Sequence, residues 1–189
     1  MLLNNRKDVS MEPLLGIISL ILIIFLAYMI DKRNKFNKNI NEKKQEKGAN
    51  LFIKLPILQG LPVAENTLCD ILSCPTYYEF NVNNTTFKLD KEKIQDICIK
   101  TDTEIQKYYT SSIGGAVGGA ILFGPIGAMI GGRTKKKINT TNRYYLIFTY
   151  LKNDTIQYIS FDATNSLLAT KFVNEFKKSN PNRNTTIEL

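Results

Sequence analysis

The chain has 189 residues, with 25 Lys and Arg against 17 Asp and Glu, a formal net charge of +8, and no histidine. The missing histidine excludes Cys/His metal sites and every catalytic dyad or triad that relies on imidazole. The three cysteines, Cys69, Cys74 and Cys98, form no Cys-x-x-Cys and are odd in number, so they read as small buried hydrophobes rather than a disulfide framework.

Residues 1–12 form a short polar N-terminus, expected on the outer side of a membrane. From Leu14 to Ile30 the chain is almost unbroken apolar sequence, LLGIISLILIIFLAYMI. A helix of about 17–18 residues is about 26 Å long, close to the ~30 Å hydrocarbon core of a bilayer. Pro13 suits a first helical position, where its absent N–H is harmless. Arg6 and Lys7 make a thin basic region, and no small-x-small cleavage site follows, so residues 13–30 read as a retained transmembrane helix and not as a cleaved signal. The absence of a polar face argues against a core helix.

Residues 31–50, DKRNKFNKNINEKKQEKGAN, carry seven basic and three acidic residues and few large apolar ones. They read as a basic, solvated linker or frayed helix. Their charge excess places everything after residue 31 in the cytoplasm and the N-terminus outside, for a single-pass protein of the cell membrane.

Residues 51–179 are long enough for one folded domain, followed by a tail over 180–189. The strand signals are Leu68–Ser73, Tyr77–Val82, Thr85–Leu89, Ile94–Ile105, Arg143–Leu151 and Thr155–Phe161. Asn83-Asn84 and Asn153-Asp154 supply hairpin turns between paired runs. Asp162 or Thr164 then caps a helix with apolar residues at Leu168, Phe172, Val173 and Phe176, and Asn180-Pro181 stops it. This pattern gives an α+β fold: an antiparallel β-barrel or sandwich of six or seven strands closed by a C-terminal helix, as in pleckstrin-homology-like (PH-like) domains.

Between the two halves lies Ile113–Gly132, IGGAVGGAILFGPIGAMIGG, which has no charge over 20 residues. The glycines at spacing four, Gly114/Gly118, Gly115/Gly119 and Gly127/Gly131, form a glycine zipper that lets helices approach closely. Gly124-Pro125 divides it into halves too short to span a bilayer, so the expected form is a helical hairpin touching the membrane from the cytoplasmic side or packing on the protein itself. Arg133, Lys135, Lys136 and Lys137 follow at once. This cluster and the linker together account for the whole net charge, which places the basic residues beside the two apolar segments and suggests anionic lipid headgroups as a partner. The basic residues do not interleave with aromatics, which argues against nucleic acid.

The stretch GAMIGGRT at residues 127–134 approaches a phosphate-loop pattern but has Arg133 where lysine belongs and lacks the preceding strand. The Asn-x-Thr matches at Asn83, Asn84, Asn139 and Asn184 would matter only outside the cell. No paired carboxylates and no nucleophile with a base stand out, so no enzyme, cofactor or metal is expected.

The run KYYTSSIGGAVGGAILFGPIGAMIGGRTKKK, flanked by LPVAENTLCDILS and YYLIFTYLKNDTIQYISFDATNSLLATKFVNEF, resembles bacterial proteins in which a PH-like (GRAM-like) domain carries a GGxxFGPxGAxxGG insertion between strands. The resemblance covers about residues 59–179 and is most specific over Leu122–Gly132. The chain departs from the group in having neither a zinc ribbon nor a C-terminal helical tail module, with an apolar helix in their place. The resemblance implies a non-catalytic binding or scaffolding module, whose glycine insert and basic cluster meet lipid, a protein partner or another copy of the chain. The rival expectation is a small oligomeric pore that uses the glycine zipper as a second membrane segment.

Overall fold

Helix α1 runs unbroken from Glu12 to Lys47 in the computed structural model, which describes residues 12–105, 126 and 143–181. The linker expected over residues 31–50 is therefore helical through Lys47. Lys, Glu and Gln are good helix formers, and neither Gly nor Pro interrupts residues 17–47. Exposed pairs at i,i+4, Asp31–Lys35 at 2.9 Å and Lys38–Glu42 at 3.9 Å, add support. Gly48, at φ +59°, ends the helix in the left-handed conformation that glycine takes without strain.

From Ile17 to Ile30 the large apolar side chains of α1 stay 48–63% exposed on every side of the helix. Among the described residues no helix is long and apolar enough to cross a membrane. The apolar run whose side chains are described, Gly16–Ile30, covers about 22 Å before Asp31, Lys32 and Arg33 follow. The chain divides into two compact units, Met1–Gln45 and Glu46–Leu189.

The second unit is built on a seven-stranded antiparallel sheet: β1 (Leu51–Gln59), β2 (Leu68–Ser73), β3 (Tyr77–Val82), β4 (Thr85–Asp90), β5 (Ile94–Thr101), β6 (Tyr144–Lys152) and β7 (Thr155–Asp162). Helix α2 (Ala169–Ser179) follows. The order across the sheet is β4-β3-β2-β1-β7-β6-β5. Two meanders, β1 to β4 and β5 to β7, are joined through β1. Its first half pairs with β2 from Leu51↔Ser73 to Pro56↔Leu68, and its end pairs with β7 at Ile57↔Phe161 and, past a bulge, at Gln59↔Ser160. The result is an α+β, sandwich-like fold.

The meanders enclose one core. Phe80 of β3 meets Phe148 of β6 edge-on at 5.3 Å and stacks on Phe161 of β7 at 5.7 Å. Tyr78 meets the same Phe148 at 5.2 Å. Asn153 and Asp154 both have positive φ, as a two-residue turn matched to strand twist requires.

Three expectations need correction. Strand β1 had no counterpart in the reading of the sequence, although Ile53, Leu55 and Ile57 alternate into the core; Pro56 stands where the strand leaves β2 for β7, a position compatible with proline. Strand β5 stops at Thr101 and not at Ile105. Thr101 and Glu104 form a capping box there: Glu104 N–H donates to Thr101 Oγ1 (3.1 Å) and Thr101 N–H to Glu104 Oε2 (2.8 Å), which turns the chain helical. Helix α2 begins at Ala169, because the Asp162 carboxylate accepts from Thr164 N–H in a local turn and does not cap a helix. Ala169 takes the inward place expected of Leu168, which lies half-exposed at the helix start.

Helix α2 is pinned by charge as well as by Phe172 and Phe176. Ser73 Oγ donates to Glu175 Oε1 (2.8 Å), and Lys91 Nζ reaches the same oxygen (3.1 Å) while sitting 4.9 Å above the Tyr78 ring. Glu175→Ala removes the acceptor for both donors. The expected loss is about 1–3 kcal/mol, read as a shift in the urea midpoint at unchanged m-value.

Candidate ligand-binding cavity

Every site residue expected from the sequence lies outside the described residues: Gly114, Gly115, Gly118, Gly119, Gly124, Pro125, Gly127, Gly131, Arg133, Lys135, Lys136 and Lys137. One residue of the glycine-rich stretch is described. Ile126 is 1% exposed and packs with Ile105, Tyr145 and Ile147 on the face of β5–β7 opposite the main core. On that side Ser160 Oγ is buried with no hydrogen-bond partner among the described residues. Ser160→Ala should therefore be neutral or stabilise by up to about 1 kcal/mol, measured by thermal unfolding.

The sheet instead brings together a site that no local motif announced. A cavity of about 480 Å³ opens between the loop after β1, strand β4 and the β6–β7 turn. Phe80, Phe87, Leu89, Tyr150 and Ile159 contribute its apolar lining. Lys93 and Lys152 also line it; Lys88 borders it from a position of β4 whose parity is opposite to that of Phe87 and Leu89.

The lysines are only lightly engaged. Lys88 Nζ sits 4.8 Å over the Tyr77 ring, a cation–π contact on the face of the sheet opposite the cavity. Lys93 pairs with Asp90 at 2.9 Å, but both side chains are more than half exposed and such a pair is weak. Lys152 meets no carboxylate within 4.0 Å among the described residues. Gly60 forms the wall where β1 ends. Its φ is +98°, and a β-carbon there would overlap the Tyr158 carbonyl oxygen and lie 2.7 Å from the Ile159 Cα.

The buried carboxylates elsewhere are structural. Glu79 is almost fully buried, accepts from Asn81 Nδ2 (3.0 Å) and faces Lys47 at 3.5 Å. Asp70 pairs with Lys54 at 2.9 Å across the β1–β2 register. Burial raises the Asp96 carboxyl, a rise that a hydrogen bond with Cys98 partly offsets. Among the described residues no group of three or more Cys, Asp or Glu is placed to hold a metal ion.

Burial also pushes the thiols of Cys69 and Cys98 from 9.0 up to about 12, with Asp70 and Asp96 adding to the respective shifts. Burial raises the Tyr78 hydroxyl as well. Each group has a raised folded pKa and is neutral when protonated, so the folded chain holds protons that the unfolded chain releases. Stability is then fully present below about pH 9 and lost as pH climbs toward 12. The thermal midpoint should fall steadily from pH 9 to pH 11, and alkylation of Cys69 and Cys98 at pH 8 should require unfolding.

No protein-family model matches the chain, and no curated protein matches it.

Proposed function

We propose that this protein is a membrane-anchored, non-catalytic binding module. Helix α1 holds it in the bilayer through Leu14–Ile30, with the N-terminus outside, and the sheet unit is a PH-like domain in the cytoplasm. The observation that carries this reading is the ring of exposed Ile, Leu and Phe side chains around α1 from Ile17 to Ile30. Left in water, that surface would be an apolar patch far larger than soluble proteins tolerate. Leu14 and Leu15, which precede the described side chains, extend the apolar run to about 26 Å.

The seven antiparallel strands with a C-terminal helix on the core support the PH-like reading. A binding role fits a sheet unit whose carboxylates Asp70, Glu79 and Glu175 each face a lysine and whose cavity lining holds no carboxylate. The glycine-rich stretch and Arg133 to Lys137 serve as a further contact with lipid or a partner. Ile126, the residue of that stretch that is described, is buried with Ile105, Tyr145 and Ile147.

Alkaline carbonate extraction tests the anchor. The full chain should stay in the membrane pellet, and a variant carrying Ile21→Lys and Phe25→Lys should move to the supernatant, since a charge at mid-bilayer costs about 2.5–3.5 kcal/mol each. Recovery of the unaltered chain in the supernatant would refute the anchor. Digestion of intact cells with external protease should leave residues 46–189 uncut, and cleavage there would reverse the orientation.

A further inference from the structure

We infer that the outer edge of β4 is a docking site for an extended peptide of a protein partner, which adds to the sheet as a strand on the backbone of Thr86 and Lys88. The inference rests on the reading of the sheet unit as a binding module and not on the anchor. Strand β4 ends the strand order on one side, and its pairing with β3 runs unbroken from Tyr77↔Asp90 to Val82↔Thr85. The two-residue turn Asn83-Asn84 makes Val82↔Thr85 a hydrogen-bonded pair, so Phe80↔Phe87 and Tyr78↔Leu89 are bonded in alternation. The N–H and C=O groups of Thr86 and Lys88 therefore point away from β3, and among the described residues neither backbone has a partner there. Both residues are exposed.

Sheet edges are ordinarily guarded by charged side chains, proline or a bulge. On β4 the guards are missing or folded away. The strand TTFKLD has no proline, and its register has no bulge. Lys88 Nζ lies over the Tyr77 ring on β3, and Thr86 Oγ1 donates to Asn81 Oδ1 (2.7 Å), so both side chains lean back across the sheet and leave the edge bare. Asp90 is paired with Lys93. The cavity of about 480 Å³ gives room along that edge, with Phe87 to Leu89 on one side and Tyr150 to Asn153 on the other. A strand is the occupant that fits, because it presents donors and acceptors at the two-residue repeat of Thr86 and Lys88. Its alternate side chains turn toward the cavity beside the half-buried Phe87. The far wall favours a single extended chain, since the β4 of a second copy would bring its β3 toward Tyr150 to Asn153.

The full chain in phosphatidylcholine nanodiscs is panned against phage-displayed random heptapeptides, with empty discs for counter-selection. Enriched peptides should carry apolar residues at alternate positions. The best of them, synthesised and added in excess, should slow amide exchange at Thr86 and Lys88 at least about tenfold. Lys88→Pro removes one outward N–H without breaking a bond to β3, and edge strands tolerate proline. It should keep the thermal midpoint of the parent and weaken the peptide at least about tenfold, whereas Lys88→Ala should bind as the parent does. N-methylation of the peptide amides tests the same pairing with the protein unaltered, and methylation at a pairing position should cost as much affinity as the proline.

Failure to enrich any peptide that needs the protein would overturn the docking site and leave the carbonate result on the anchor untouched. A selected peptide that binds Lys88→Pro fully and survives N-methylation would uphold a binding module but overturn the edge as its site. An equal loss in Lys88→Ala would overturn backbone pairing in favour of the ammonium group. A dimer of the unaltered chain in detergent, dissociated by Lys88→Pro in sedimentation, would assign the edge to a second copy and overturn the partner peptide.

Discussion

Phe148→Ala is expected to destabilise the sheet unit by about 3–5 kcal/mol, a large part of the ~5–15 kcal/mol that holds a typical domain folded. Phe148 is fully buried and is the ring on which both meanders and α2 converge. It meets Tyr78 at 5.2 Å, Phe80 at 5.3 Å, Phe161 at 6.0 Å and Phe172 at 6.5 Å, mostly edge-to-face. Removing it leaves a void that four other aromatics surround, and the facing strands are too tightly registered to close it. Denaturant unfolding followed by circular dichroism measures the loss. Phe148→Leu, which keeps most of the volume, should lose much less, and equal losses for both variants would mean that ring geometry matters more than filled space.

Gly60→Ala should destabilise by about 2–5 kcal/mol through a different route, combining backbone strain with forced displacement of β7. At φ +98° an L side chain is strained whatever space it has, and here the space is taken by the Tyr158 carbonyl and Ile159 Cα. Because Gly60, Leu61 and Ile159 also line the cavity, the alanine variant should deform its wall as well. Gly48→Ala is the comparison: its φ is also positive, but no atom lies within 4 Å of its β-carbon position, so it should lose only the conformational part, about 1 kcal/mol.

Local pattern made six of the seven strands and the C-terminal helix legible in the sequence, because hairpin turns such as Asn153-Asp154 and alternating runs such as Tyr77–Val82 carry their own signals. Strand β1 was missed because Leu51–Gln59 contains Pro56 and changes partner halfway, a property of its neighbours and not of its residues. The end of β5 was legible in principle: Thr101-x-x-Glu104 is a helix-start signature, overlooked beside a run of β-branched residues. A bulge at Ile94/Asp96 turns both Ile94 and Ile97 into the core despite their opposite parity.

The cavity was not legible at all. Its lining comes from separate segments, brought together only when β4 and the β6–β7 turn share one side of the fold. The dense cluster from Arg133 to Lys137 gave a stronger signal in one dimension than residues as scattered as Gly60, Phe87 and Tyr150 could give apart.

The shared strand β1 has a temporal consequence. Its first half can zip onto β2 as soon as the first meander is made, but its second half waits for Phe161, roughly a hundred residues further along the chain. During synthesis Ile57 and Gln59 therefore stand as an open seam until the last strand emerges, and closing so distant a pair is slow. Maturation of the sheet unit becomes a single late event, which arrives only with the C-terminal third of the chain, and a truncated product lacking β7 would leave half of its first strand available to the wrong partner.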